Sequence, residues 1–151
     1  MNSMNDTGVG ASPASGQTSH THRTRRLAGT GLMATLAAMV ATTLAAALAQ
    51  GFGVDFEVPD GGQTIPLSGF AVVTGVFSVV GIVIAVALLR WSACPAKRFV
   101  WTAVTLTAIS LVPPLLSGAN TATTTALLGL HLVAATVMIP TLARSLRTRT
   151  A

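Results

Sequence analysis

Four uncharged stretches set the hydropathy pattern of the chain. They run over residues 27–49, 70–89, 99–116 and 124–143, and His131 is the one ionisable side chain within them. At a helical rise of about 1.5 Å per residue, each stretch is long enough to cross a hydrocarbon core of about 30 Å. The pattern therefore predicts an all-α integral membrane four-helix bundle built from two consecutive helical hairpins.

Polar segments flank and connect these spans. Residues 1–26 are rich in Ser, Thr, Asn and Gly at their start and are predicted to form a disordered tail. The transmembrane domain is predicted over residues 27–143, with a long loop at 50–69 and a second turn at 117–123. A basic tail follows over residues 144–151.

Charge is sorted between the two sides of the predicted bundle. Three of the chain's four carboxylates lie in loop 50–69, which has no Lys or Arg, and these are Asp55, Glu57 and Asp60. All nine Lys and Arg fall beyond the other ends of the spans. Because basic residues are retained on the cytoplasmic side, both termini are predicted to be cytoplasmic and loop 50–69 external, in a multi-pass protein of the cell membrane.

Composition supports lipid as the main solvent. Hydrophobic residues make up 51% of the chain and charged residues 9%, with a mean hydropathy of +0.68, whereas a soluble domain carries about 25% charged residues. The net charge of +5 comes from clusters next to the spans rather than from a basic face with interleaved aromatics. Nucleic acid is therefore not an expected partner.

The first span has a second interpretation. Its basic flank and the sequence Ala47-Leu48-Ala49 are also typical of a secretory signal with an A-x-A cleavage site. Signal cores contain about 7–15 apolar residues, and the run over 27–49 is longer. This length favours a retained span, and cleavage stays open as the alternative.

Small residues predict where helices approach one another. In the first span they recur at every fourth position, and in the second they form one such pair, so that close helix contacts are expected at Ala34, Ala38, Thr42, Ala46, Gly81 and Ala85. The first helix is expected to be central. Aromatic residues are expected at the membrane interfaces, with Trp91 and Trp101 on the basic side and Phe52, Phe56 and Phe70 opposite.

Two consecutive prolines interrupt the third span. Pro113 and Pro114 lack the backbone donors that would pair with the carbonyls of Ile109 and Ser110, so the helix is predicted to break or kink there.

The segments GVDFEVPDGG, IPLSGFAVV, RFVWTAVTLTAISLVPPLLSGA and HLVAA occur in that order. Together they resemble the small four-helix actinobacterial membrane proteins of domain of unknown function 6069, over about Leu27 to Ala143. The resemblance implies a four-span membrane protein. It implies no activity, and it transfers no catalytic or binding residue.

His131 is the main candidate for intramembrane chemistry, because a polar ring at that depth needs partners or water. Helical rise places it about 10 Å below the outer end of its span. Hydroxyl side chains at comparable depth complete a predicted polar layer, and these are Thr42, Thr43, Ser78, Thr107 and Ser110. Such a layer could line a proton- or ion-responsive cavity. Alternatively, a neutral His131 donates one hydrogen bond to a neighbouring helix, worth about 0.6 kcal/mol.

Metal sites receive weaker support. Asp55, Glu57 and Asp60 could ligate Ca²⁺, but D-x-E-x-x-D-G-G differs from an EF-hand loop, and a solvated turn is the favoured interpretation. His20 and His22 have no nearby companion ligands, and the lone Cys94 excludes an intramolecular disulfide.

Enzyme motifs are missing from the sequence, including H-E-x-x-H, a Walker loop and G-x-S-x-G. We therefore expect a non-enzymatic protein with no catalytic residue, cofactor or metal ligand. The expected role is a small structural or accessory membrane subunit, whose partners are the lipid bilayer and another membrane protein or further copies of the chain. The alternative is a minimal channel or transporter that uses His131.

Overall fold

The computed structural model describes residues 15–58 and 63–148, with side chains for residues 21–57 and 63–148. Its elements are α1 (Ser15–Gly51), β1 (Glu57–Val58), β2 (Gln63–Thr64), α2 (Leu67–Trp91), α3 (Pro95–Ser110), α4 (Val112–Leu116) and α5 (Thr121–Arg147). Within the described residues, four helical segments are long and apolar enough to cross a membrane: Thr21–Gly51, Leu67–Trp91, Pro95–Leu116 and Thr121–Arg147. The prediction of four such helices is confirmed.

The helices extend beyond the predicted spans. Helix α1 begins at Ser15, so residues 15–26 of the predicted disordered tail are helical, while residues 1–14 lie outside the described part. Extending an existing helix adds one hydrogen bond for each residue fixed and avoids a new nucleation cost. The apolar run therefore supports a helix that continues into its polar flank.

Helix α1 takes part in the two most extensive helix pairs, one with α2 and one with α5. Helix α3 packs against α5 and α2. The helix that was expected to be central is thus the one with the largest interfaces.

Small residues of α1 are buried where this helix packs against its neighbours. Ala34, Ala38, Thr42 and Ala46 are all buried, which confirms the predicted stripe at every fourth position. Because the spacing matches the helical repeat, the four side chains share one face.

Two glycines bring α1 and α2 into direct contact. A Cβ placed on Gly31 would lie 2.7 Å from Ile82 Cγ1, and one on Gly75 would lie 3.2 Å from Met39 Sδ. At Gly81 a Cβ would meet no atom within 4 Å. The close approach predicted at Gly81 and Ala85 therefore involves only the buried Ala85, since Gly81 is turned away from the interface.

The core is divided into two apolar clusters. The basic-end cluster contains Leu27, Ala34, Ala38, Ile82, Ala85, Phe99, Met138, Leu142, Ala143 and Leu146. The loop-end cluster, beneath the loop between α1 and α2, contains Ala46, Phe56, Phe70 and Leu130.

Phe56 and Phe70 are core residues rather than interface anchors. Their ring centroids are 4.8 Å apart in an edge-to-face arrangement, and Phe56 is fully buried, whereas Phe52 is 87% exposed. The predicted aromatic belt on this side is therefore wrong for Phe56 and Phe70. The loop folds back over the helix ends, because burial of a large aromatic ring is strongly favourable. Trp91 and Trp101 are exposed at the other end.

The third span is broken where it was predicted to be. Helix α3 ends at Ser110, Leu111 is a turn residue, and α4 begins at Val112. The amide of Leu111 still donates to the carbonyls of Thr107 and Ala108, at 3.2 and 3.3 Å. The prolines that follow lack amide hydrogens and cannot continue the pattern, so the predicted helix break is confirmed.

Candidate functional site

Three hydroxyl side chains lie between the two apolar clusters. Thr42 occupies the α1 stripe between Ala38 of the basic-end cluster and Ala46 of the loop-end cluster. Thr74 and Ser78 of α2 lie between Phe70 and Ile82, which belong to the loop-end and basic-end clusters, respectively, and all three hydroxyl residues are buried. We call Thr42, Thr74 and Ser78 the buried hydroxyl layer.

The hydroxyl group of Thr42 has no hydrogen-bond partner. The residue is 3% exposed, and its Oγ1 is one of two buried side-chain polar atoms without a partner in the described part of the chain, the other being Thr123 Oγ1. By contrast, Thr35 Oγ1 on the same helix donates to the carbonyl of Gly31 at 2.9 Å. An unpaired buried hydroxyl costs about 1–3 kcal/mol. Thr42 is therefore the residue of this layer whose buried hydroxyl lowers the stability of the fold.

His131 lies close to Thr42 in depth. Residues near the start of α1 share the basic-end cluster with residues near the end of α5, while Ala46 shares the loop-end cluster with Leu130, so α1 and α5 are antiparallel. His131 is one residue from Leu130, and Thr42 is four residues from Ala46. The two polar side chains are thus within about one helical turn, roughly 5 Å along the axis.

The imidazole of His131 bonds to its own helix. Its Nδ1 lies 2.9 Å from the carbonyl oxygen of Leu127, and the side chain is half-buried. A carbonyl only accepts, so Nδ1 carries the hydrogen of this bond. The hydrogen bond to a neighbouring helix that the sequence suggested is replaced by one within α5. Nε2 is the atom left to meet another group.

Thr107 and Ser110 do not join the buried hydroxyl layer. Both are half-buried, and Ser110 Oγ donates to the carbonyl of Thr107 at 2.7 Å, within α3. The buried residues of α3 are Pro95 and Phe99, both near its opposite end. Of the predicted polar layer, the structure buries Thr42 and Ser78 and places His131 at a depth similar to that of Thr42.

Thr74 is a member that the sequence analysis missed. It lies midway between Phe70 and Ser78, one helical turn from each, so the four-residue spacing along α2 was the signal that could have identified it.

The acidic loop forms a short antiparallel hairpin in which Glu57 pairs with Thr64 and Val58 with Gln63. Asp55 and Glu57 are exposed, whereas Asp60 lies outside the described residues. Within residues 15–58 and 63–148, no group of three or more His, Cys, Asp or Glu side chains could hold a metal ion. His22 is exposed, and the side chain of His20 lies outside the described part.

Among the described residues, the site has hydroxyl and imidazole groups and no carboxylate. Hydroxyl groups both donate and accept hydrogen bonds, and a neutral imidazole with its hydrogen on Nδ1 accepts at Nε2. Such an arrangement can hold a water molecule or pass a proton. It offers poor coordination for a hard cation, which prefers several carboxylate or carbonyl oxygens.

A family model described as "Family of unknown function (DUF6069)" matches residues 22–148. The matched segment includes all the described helices except the first turns of α1, and it confirms the family resemblance drawn from the sequence. No curated protein and no solved structure gave a significant match.

Proposed function

The chain belongs to a family of unknown function, DUF6069, and from that premise we propose that it is a non-enzymatic structural or accessory subunit of the cell membrane. Its four helices are each long and apolar enough to cross a membrane, which indicates a multi-pass protein. The first span is retained, since its residues supply the stripe that packs the core. Actinobacterial origin, implied by the resemblance above, belongs to the same proposal.

The proposed orientation has both termini in the cytoplasm. It is supported by the charge distribution, because Arg90, Lys97 and Arg144 lie at the helix ends opposite the acidic loop. Retention of basic residues on the cytoplasmic side then puts the loop outside.

The closed α1 interfaces are the observation that carries the subunit proposal. Alanine and glycine are small enough to let α1 lie close to α2. A single carbon added at Gly31 would clash with Ile82. Two cavities among the described residues open on the outside of the helices, one at the turn between α2 and α3 and one along α5. A close α1–α2 interface suits a protein that acts through its outer surface rather than through a passage between these two helices.

Site-specific photo-cross-linking tests this proposal. A diazirine amino acid similar in size to leucine would replace Leu132, which is 51% exposed, or the buried Leu130 two residues earlier on α5. In native membranes, Leu132 should give an adduct with another protein or a second copy, while Leu130 should give only internal adducts. If Leu132, Leu36 and Leu106, exposed on three different helices, yield lipid adducts alone, the subunit proposal fails.

A minimal channel or transporter is the second candidate, and the unpaired Thr42 hydroxyl, at a depth similar to that of His131, favours it. In this function, Nε2 of His131 would exchange protons with water that also binds Thr42. Replacement of His131 with Ala should then abolish a pH-dependent flux in proteoliposomes. The control is Thr136→Ala on the exposed face of α5, where the hydroxyl bonds within its own helix. Absence of flux, or equal flux in the His131 variant, rejects this candidate.

A further inference from the structure

A groove opens where the turn between α2 and α3 meets the end of α5. It has a volume of about 550 Å³, and its lining includes Cys94, Lys97, Val100, Trp101 and Arg147. The groove lies at the basic end of the helices, far from the buried hydroxyl layer. Neither the subunit proposal nor the transporter alternative makes use of it.

Two cations from different helices line this groove. Lys97 comes from the first turn of α3 and Arg147 from the last turn of α5, and among the described residues no acidic side chain lines the groove. Lys and Arg are the side chains that bind phosphate, with Arg supplying paired N–H donors. The lining therefore has the charge and donor chemistry of an anion site formed by two separate elements.

The same groove has an apolar wall on its membrane side. Val100 and Trp101 follow Lys97 along α3 by three and four residues, so they lie about one turn further into the span on the same side of the helix. Trp101 is 68% exposed, and tryptophan is favoured at the level of lipid headgroups. A cationic end above an apolar wall matches a ligand with a phosphate joined to hydrocarbon.

We propose that this groove binds the phosphate headgroup of an anionic phospholipid, with Lys97 and Arg147 holding the phosphate and Trp101 lying against the upper acyl chain. Basic pockets between helices on the cytoplasmic side are suited to such headgroups. A free phosphate ion would satisfy the two cations but would leave the apolar wall without a partner.

The two tryptophans of the chain permit a direct test. The full-length Trp91→Phe variant retains Trp101 as its single tryptophan, and it would be reconstituted into phosphatidylcholine vesicles that contain phosphatidylglycerol. Bromine would be placed on the acyl chains of one lipid at a time, at equal mole fraction. Brominated phosphatidylglycerol should quench Trp101 fluorescence more strongly than brominated phosphatidylcholine, because the anionic lipid is enriched beside the ring.

Charge-removing variants identify the residues responsible. In the same background, Lys97→Gln with Arg147→Gln should abolish the preference for the anionic lipid. The matched control removes the equivalent charges at Arg98 and Arg144, which are exposed next to these residues but do not line the groove, and it should retain the preference. Equal quenching by both lipids in the Trp91→Phe protein, or loss of preference in the control alone, overturns the proposal.

Cys94 provides a second measurement and distinguishes the source of the phosphate. This exposed thiol lines the groove, so anionic vesicles should slow its reaction with a maleimide in wild type but not in the Lys97→Gln, Arg147→Gln variant. Soluble glycerol phosphate should neither slow the reaction in phosphatidylcholine vesicles nor reduce the lipid preference. If it does both, the site binds a free phosphate compound, and the lipid assignment is wrong.

Discussion

Phe56 carries an unusual combination of backbone strain and burial. Its φ of 48° lies in the left-handed region, which costs a non-glycine residue about 1–2 kcal/mol. The side chain is nevertheless fully buried against Phe70, and its carbonyl accepts from the amide of Ile65 at 3.2 Å. Burial of the ring offsets the backbone cost, so Phe56 acts as the anchor that holds the loop against the helix ends.

Replacement of Phe56 with Ala should therefore lower the free energy of unfolding by about 3–5 kcal/mol, as for other large-to-small core substitutions. The alanine would keep the strained φ while losing the buried ring. Unfolding of the purified protein in mixed micelles would measure the change. The control is Phe52→Ala at an exposed position of the same loop, which should change stability by less than about 0.5 kcal/mol. Equal effects at the two positions would contradict the anchoring role.

The unpaired Oγ1 atom of Thr42 leads to a second prediction about stability. Valine has nearly the same shape as threonine and lacks the hydroxyl, so Thr42→Val removes an unpaired polar group. We expect the free energy of unfolding to rise by up to about 1–3 kcal/mol, measured by the same unfolding method.

Thr35→Val is the control for this substitution, since the Thr35 hydroxyl already bonds to the carbonyl of Gly31 and should give little gain. A loss of stability in Thr42→Val would mean that the hydroxyl binds water or another ligand in the membrane. That result would favour the transporter candidate over the subunit proposal.

At the scale of helices, the sequence predicts which face is buried better than it predicts which contacts form. The stripe from Ala34 to Ala46 could be read from its spacing, because residues four apart share a helical face. Gly31 and Gly75, which make the closest approach to α2 and α1 respectively, could not be separated from Gly81 by composition. That distinction depends on how the helices are rotated about their axes, which requires all neighbours at once.

Gly31 and Gly29 offer a matched pair on α1. A methyl group at Gly31 would lie 2.7 Å from Ile82 Cγ1, whereas at Gly29 it would meet nothing within 4 Å. Gly31→Ala should destabilise the protein by about 1–3 kcal/mol through overpacking. Gly29→Ala should be neutral or stabilising by up to about 1 kcal/mol, since alanine favours the helix. Thermal unfolding of both variants provides the measurement, and an equal gain in both would show that α1 and α2 are not closely packed.

For the whole molecule, hydropathy was sufficient to predict four spans and proline chemistry to predict the break in the third. The candidate site was only partly predictable. Depth along each helix placed His131 near Thr42, but depth carries no information about direction, and the buried part of α3 lies at Phe99 rather than at Ser110. The core position of Phe56 also escaped prediction, because an aromatic residue beside a span has the same sequence signal whether it faces lipid or folds inward.

The orientation of the whole chain can be tested through its native thiol. Cys94 is exposed in the turn between α2 and α3, and the proposed orientation has this turn in the cytoplasm. A membrane-impermeant maleimide should therefore leave Cys94 unlabelled in intact cells and label it after lysis.

The matched control carries Cys94→Ala together with Gln63→Cys, which puts a thiol on the exposed strand β2 of the acidic loop. This variant should be labelled in intact cells. Each outcome depends on the same physical cause, since Lys and Arg near the span ends are retained on the cytoplasmic side, whereas Asp and Glu contribute little to orientation. Labelling of Cys94 from outside, with Gln63→Cys protected until lysis, would invert the orientation and move the proposed lipid groove to the opposite leaflet.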